Sequence, residues 1–160
     1  QEGVLTVRLK SATGLKAADL NGKSDPYVKV GGGGKEKQSR VQKATLAPNW
    51  NETIEFSGKL QELVSQGLLL KVMDWDRLTK DDELGQVHVS LDVLQHQDAL
   101  EFVEALPTQG SLIFSVTWVP VPSHLLATGV LTATLSHATG RNSTKARGPS
   151  LPPPWLWGFC

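Results

Sequence analysis

The chain has a single cysteine, Cys160, which excludes an intrachain disulfide and a cysteine-based metal site. It has no apolar run near the roughly 20 residues that cross a bilayer, and its start does not resemble a charged and then apolar leader. Its 16 basic and 16 acidic residues cancel, so no net charge favours a nucleic-acid partner. These absences favour a protein of a reducing, cytoplasmic compartment.

Charge and composition divide the chain into two parts. Residues 1–119 carry all 16 acidic and 13 of the 16 basic residues, a net charge of 13 − 16 = −3. Beyond Val119 the composition shifts to Pro, Ser, Thr and Gly. We therefore expect one folded domain at 1–119 and a Pro/Ser-rich, mostly disordered tail at 120–160.

The tail contains a partial repeat. Residues 129–140 match residues 3–14 at eight of twelve positions, but Lys145 stands where Asp19 stands in the first copy. A lone strand cannot bury its apolar face. We interpret the repeat as the truncated start of a second copy of the domain, within a parent protein that carries tandem domains.

Alternating apolar and polar residues dominate the first part and predict short strands. Turn signals such as Asn21-Gly22 and Asp25-Pro26 separate these strands, and the glycines at 31–34 predict a hairpin tip. Many short strands with little helical periodicity favour an all-β antiparallel sandwich, with one or two helical turns at 60–64 and 90–94. The predicted strands are 4–9, 27–30, 52–56, 68–73, 84–89 and 112–116.

Aspartates cluster in two of the predicted loops. Asp19 and Asp25 lie six residues apart, and Asp76 and Asp82 repeat that spacing with Asp74 in front. On a sandwich both loops can leave the same end, where so many carboxylates repel one another unless a cation lies between them. Carboxylate oxygens suit Ca²⁺.

Three further motifs are GKSDPYV at 22–28, TLAPNWNE at 45–52, and DWDR at 74–77 with Asp82 and Gly85. With these motifs the chain resembles the C2 domain, a module of conventional protein kinase C, synaptotagmins, extended synaptotagmins and ferlins. The resemblance covers about residues 3–119 and implies an eight-stranded antiparallel β-sandwich. Because a strand precedes the first aspartate loop and another follows at 111–118, it implies the phospholipase-type permutation. The synaptotagmin type needs one more strand in front.

The resemblance also assigns the metal ligands, position by position. It implies a site for two Ca²⁺ ions, with oxygens from carboxylates and from two backbone carbonyls. The carboxylates belong to Asp19, Asp25, Asp74, Asp76 and Asp82, and the carbonyls to Ala18 and Trp75. Thr79 also belongs to the implied metal site, at a position where the family sometimes holds a third ion.

Membrane contacts are implied at the tips of the same loops. Leu20 and Leu78 occupy positions that dip into the bilayer in the family, although leucines there can also pack back onto their own loops. The residues placed to meet lipid head groups are Asn21, Arg77 and Lys80.

A basic patch on the concave face is only partly present. Some relatives bind phosphoinositides there, and Lys29 matches one such position, but Glu36 and Gln38 replace two others. The remaining cations form a weaker patch or a solvated strand face. The patch consists of Lys29, Lys35, Lys37, Arg40 and Lys43.

The implied function is Ca²⁺-dependent binding to anionic, phosphatidylserine-type membranes by a peripheral targeting module of a multi-domain trafficking, lipid-transfer or signalling protein. The alternative is a Ca²⁺-independent protein-interaction or scaffold module, with other proteins as partners. We expect no enzyme and no small-molecule substrate, because the histidines lie in no nucleophile motif. The histidines are His88, His96, His124 and His137.

Overall fold

Two four-stranded antiparallel sheets make up the computed structural model, which describes residues 1–122. The strands in chain order are β1 (Glu2–Thr13), β2 (Pro26–Gly32), β3 (Lys35–Gln38), β4 (Asn49–Lys59), β5 (Leu68–Asp74), β6 (Asp82–Val89), β7 (Ala99–Ala105) and β8 (Ser111–Pro120). One sheet has the order β4-β1-β8-β7 and the other β3-β2-β5-β6. A short helix, α1 (Leu60–Gln66), follows β4, and a 3-10 turn (Asp92–Gln95) follows β6. The predicted eight-stranded all-β sandwich is confirmed.

The core lies between the inner faces of the sheets. Alternate residues of β1 and β5 are fully buried, as the period of two of a half-buried strand requires. Trp50, Phe56 and Phe114 are the largest of the fully buried side chains, and the Phe114 ring stacks on Phe102 with centroids 4.7 Å apart. These aromatic rings bring β4, β7 and β8 into one apolar cluster.

The position of β8 next to β1 determines the strand order of the first sheet. Residues of β1 pair with β4 on one side and with β8 on the other, from Gly3 opposite Pro120 to Thr13 opposite Ser111. The last strand, β8, therefore lies between β1 and β7, so the sheet is complete without an extra strand in front of β1. This is the phospholipase-type order that the C2 resemblance implies.

Sequence patterns located six of the eight strands and missed two. All four residues of β3 are exposed, so no apolar side chain marks that strand. The exposed positions of β7 include Ala99 and Val103, which disturbs the alternation. Helical turns are present near both predicted places, and the predicted hairpin tip is a turn at Gly33 and Gly34, which have φ of 57° and 78°.

Residues 1–120 form one compact unit. The predicted linker, the truncated repeat and the disorder of the tail concern residues 123–160, which lie outside the described residues, and all three stay predictions. No helix within residues 1–122 is long and apolar enough to cross a membrane.

Candidate metal centre

The two aspartate loops leave the same end of the sandwich. One joins β1 to β2 and the other joins β5 to β6. The register places Pro26 opposite Asp74 and Asp74 opposite Asp82, so the start of β2, the end of β5 and the start of β6 meet. Strand pairing thus brings together aspartates that are almost fifty residues apart in sequence.

Three of the five predicted carboxylates converge there. Asp19, Asp25 and Asp74 each offer a carboxylate oxygen, and these oxygens all lie within 4.8 Å of one another. Asp74 is 1% exposed at the end of β5. Its Oδ1 accepts the backbone N–H of Asp25 at 2.6 Å, and the carbonyl of Asp25 accepts the N–H of Trp75 at 2.9 Å. The two loops are therefore bonded to each other at the base of the group.

Burial raises the pKa of Asp74, and the charges of Asp19 and Asp25 raise it further, while the hydrogen bond from the Asp25 N–H lowers it. A buried carboxylate beside two others is costly to ionise without a compensating positive charge. The group consists of hard oxygen donors, which fits a cation such as Ca²⁺.

Buried Ser24 shapes the first loop. Its hydroxyl donates to the carbonyl of Lys16 at 2.9 Å and accepts the N–H of Ala18 at 3.0 Å. The N–H of Gly22, whose φ is 79°, donates to the carbonyl of Asp19 at 3.1 Å. These bonds close the loop into a compact turn that carries Asp19.

The turn between β7 and β8 supports the same loop from the side. The side-chain Nε2 of Gln109 donates to the carbonyls of Gly14 at 3.0 Å and Leu15 at 3.2 Å. A Cβ atom at Gly110, whose φ is 87°, would meet the backbone of Thr13 and Gly14. Only glycine fits this close approach without a shift of the backbone.

Asp76 lies outside the converging group. Its Oδ1 accepts the N–H of Leu78 at 2.8 Å and that of Thr79 at 3.1 Å. The bond from Leu78, with those from Thr79, lowers the pKa of Asp76. Asp82 is exposed at the first position of β6 and is also outside the group. The ligand roles of both residues stay predictions.

Asp81 is a residue of this site that sequence reasoning missed. Its Oδ2 accepts the hydroxyl of Tyr27 at 2.5 Å, and its Oδ1 accepts the N–H of Asp76 at 2.8 Å. Tyr27 is 4% exposed, and burial, together with the charge and hydrogen bond of Asp81, raises the pKa of Tyr27 to about 12. The only signal in the sequence is the pair of adjacent aspartates at 81–82, and the C2 pattern assigns a ligand role only to Asp82.

The predicted membrane-contacting residues lie at the exposed tips of the two loops. Leu20 and Leu78 are the most exposed large apolar side chains of the described residues, at 110% and 84%. Neither packs back onto its loop. The polar residues assigned to head groups, and two of the assigned ligands, are also exposed: Asn21, Arg77, Lys80, Ala18 and Thr79.

The predicted basic patch does not form one free face. Lys37 donates to the carbonyl of Glu55 at 2.5 Å, and Arg40 pairs with Glu52 at 3.2 Å. Lys43 lies among the aspartate loops, with its Nζ 3.9 Å from Oδ2 of Asp25. Only Lys29 and Lys35 remain on the β2–β3 hairpin without such a partner among the described residues.

Comparisons with known proteins agree with this architecture. The family model of the C2 domain matches residues 3–106. Human synaptotagmin-7 is 34% identical over 137 residues, which cover 79% of this chain and 34% of the relative. A calcium-bound structure of two C2 domains of extended synaptotagmin 2 has a TM-score of 0.67 at 28% identity, and covers 86% of this chain and 52% of that chain. A single C2 domain of plant extended synaptotagmin 1 has a TM-score of 0.64 at 25% identity, and covers 76% and 97% respectively. The chain spans about a third of the length of curated relatives such as synaptotagmin-7.

Proposed function

This chain belongs to the C2 domain family, and we propose that it binds anionic phospholipid membranes when Ca²⁺ occupies its aspartate loops. It acts in this proposal as a peripheral targeting module of a larger trafficking, lipid-transfer or signalling protein, cytoplasmic and recruited to membranes. The observation that carries the proposal is the convergence of the Asp19, Asp25 and Asp74 carboxylates within 4.8 Å, at the end of the sandwich that exposes Leu20 and Leu78.

The converging carboxylates supply the base of the proposed ion site. Asp74 is held by the N–H of Asp25 at 2.6 Å, so its position is set before any ion arrives. We assign Asp76, Asp82 and the carbonyls of Ala18 and Trp75 as further ligands of two ions, and Thr79 to the position of an occasional third ion. Ca²⁺ supplies positive charge and open coordination positions that lipid phosphates and carboxylates can complete.

Charge explains why binding depends on the ion. Without a cation, the clustered carboxylates repel the negative surface of an anionic leaflet. Leu20 and Leu78 then stay in water, where their exposure costs free energy. Once the loops are neutralised, each leucine that enters the acyl region contributes about 2 kcal/mol. The ion and the lipid each raise the affinity of the other by the same factor.

Vesicle sedimentation of the full chain tests the proposal. We expect pelleting with phosphatidylserine vesicles in Ca²⁺, little in chelator, and little with phosphatidylcholine vesicles. Asp74→Asn removes the buried charge of the site and should abolish the Ca²⁺ response. Asp98→Asn makes the same chemical change at an exposed residue ahead of β7 and should bind like the wild type. Pelleting that ignores Ca²⁺ would contradict the ion dependence, and no pelleting at all would favour the protein-interaction alternative.

A further inference from the structure

We propose that Lys43 is a built-in competitor for Ca²⁺, a tethered cation that weakens ion binding at Asp25. This inference rests on the proposed function and gives Lys43 a role other than lipid contact. The residue lies on the segment between β3 and β4, outside both aspartate loops and outside the three C2 motifs that identify the ligands.

Both carboxylate oxygens of Asp25 interact with groups of this segment. The N–H of Ala44 donates to Oδ1 at 2.7 Å, and the Nζ of Lys43 lies 3.9 Å from Oδ2. The side chain of Asp25 is 21% exposed and that of Lys43 is 61% exposed. Since Asp25 belongs to the converging group, an ion that binds there meets an ammonium already placed beside one of its ligands.

Trp75 keeps the ammonium in this position. The Nζ of Lys43 lies 3.5 Å from the centroid of the Trp75 ring, within the range of a cation–π contact. Trp75 directly follows Asp74, so Lys43 contacts the second aspartate loop as well as the residue that ends the first. An unanchored surface lysine would spend most of its time in water. The ring restricts Lys43 to the edge of the ion site.

The backbone of the segment is fixed by bonds that do not involve the Lys43 side chain. The N–H of Gln42 donates to the carbonyl of Pro26 at 2.9 Å, and that of Thr45 donates to the carbonyl of Ser24 at 2.8 Å. Ala44 adopts a left-handed φ of 51°, and its N–H points at Asp25. Replacing the Lys43 side chain therefore removes the charge and leaves these bonds in place.

The positive charge of Lys43 lowers the Ca²⁺ affinity through its effects on both the ion-free and the ion-bound protein. In the ion-free protein it offsets the negative charge of Asp25, and in the bound protein it repels the divalent ion. Loss of the charge should raise the Ca²⁺ affinity about three- to tenfold at low salt. The gain should shrink as salt screens the exposed ammonium.

Calorimetric titration of the full chain with CaCl₂ alone, at low ionic strength, tests this. Lys43→Gln and Lys43→Met should both lower the Kd by about three- to tenfold, whereas Lys43→Arg should stay near the wild type. Lys59→Gln, at the end of β4 that pairs with Glu2, removes the same charge far from the loops and should not change the Kd. A Kd of the uncharged variants equal to or above that of the wild type overturns the proposal.

The wild-type titration separates this inference from the proposed function. If the wild type binds no Ca²⁺, both fall; if it binds and the Lys43 variants match it, only the competitor role falls. Trp75→Leu gives a second check, because it removes the ring that holds the ammonium. In that background Lys43→Gln should raise the affinity by a smaller factor than in the wild type. An equal gain in both backgrounds contradicts the role of the ring.

Discussion

The hydroxyl of Tyr27, in β2, donates a 2.5 Å hydrogen bond to Oδ2 of Asp81, at the end of the second aspartate loop. The same carboxylate accepts the N–H of Asp76. A buried ring on a central strand therefore fixes the backbone of a proposed ligand without being a ligand itself.

Tyr27→Phe should weaken both folding and ion binding. It removes only the donor to a carboxylate, which should cost about 1–2 kcal/mol of unfolding free energy and about 5 °C in Tm. The Ca²⁺ Kd should rise, because Asp81, which accepts the N–H of Asp76, loses the hydroxyl that holds its carboxylate in place. Thermal melts in chelator and calorimetry of the same samples measure the two effects. Unchanged values in both would show that the bond has no influence on the loop.

Asp74→Asn should stabilise the ion-free protein while abolishing its response to Ca²⁺. The amide oxygen can still accept the N–H of Asp25, but the buried charge beside Asp19 and Asp25 is gone. We expect a Tm a few degrees above that of the wild type in chelator and no further rise when Ca²⁺ is added. An ion-free variant less stable than the wild type would contradict the electrostatic account of this site.

The pH dependence of this difference follows from the raised pKa of Asp74. A carboxyl with a raised folded-state pKa contributes stability below its ordinary pKa, about 3.8, and this contribution is lost as the pH rises through the folded value. The Tm advantage of Asp74→Asn over the wild type should therefore grow from pH 4 upwards in Ca²⁺-free buffer. The lowered pKa of Asp76 has the opposite sign, but both proteins share it, so it cancels in the comparison. A constant Tm difference across this range would refute the assignment.

The exposed loop leucines should matter for lipid and not for folding. Leu20→Asn or Leu78→Asn should each weaken vesicle binding by about tenfold, since a buried leucine contributes about 1.5–3 kcal/mol. Val103→Asn, which changes a 71% exposed side chain of β7, is the matched control and should bind like the wild type. Vesicle titrations at saturating Ca²⁺ measure the effect, and calorimetry without lipid detects any loss of ion binding.

Gly110→Ala should destabilise the domain more than Gly34→Ala. Both glycines have a positive φ, 87° and 78° respectively, which costs an alanine about 1 kcal/mol. A Cβ at Gly110 also lies 2.7 Å from the carbonyl oxygen of Gly14, whereas one at Gly34 meets nothing within 4 Å. We expect the free energy of unfolding to fall by about 3 kcal/mol for Gly110→Ala and by about 1 kcal/mol for Gly34→Ala. Chemical denaturation measures both losses. Equal losses would mean that the β7–β8 turn can shift to accommodate the Cβ atom at little cost in free energy.

The predictable parts of the fold are the strands in which buried and exposed side chains alternate. Alternation along β1 and β5 marks a strand because every second residue enters the core. β3 carries no such mark, since its four residues are all exposed and its existence depends on hydrogen bonds to β2.

The same distinction holds at the site. The aspartate spacing revealed a group of like charges, but the partners that modify the group are remote in sequence or lack a pattern. Tyr27 and Asp81 are 54 positions apart. The sequence assigns Lys43 to a basic strand face, and only the folded chain brings it over Trp75.

Gly3 and Pro120 face each other across β1 and β8, so the polypeptide enters and leaves the sandwich side by side, at the end remote from the aspartate loops. The twelve residues of β1 span the distance between the two ends, about 40 Å at the usual rise per residue. In the proposed membrane-bound state the aspartate loops touch the lipid, and Gly3 and Pro120 lie tens of ångströms away from it, at the opposite end of the sandwich.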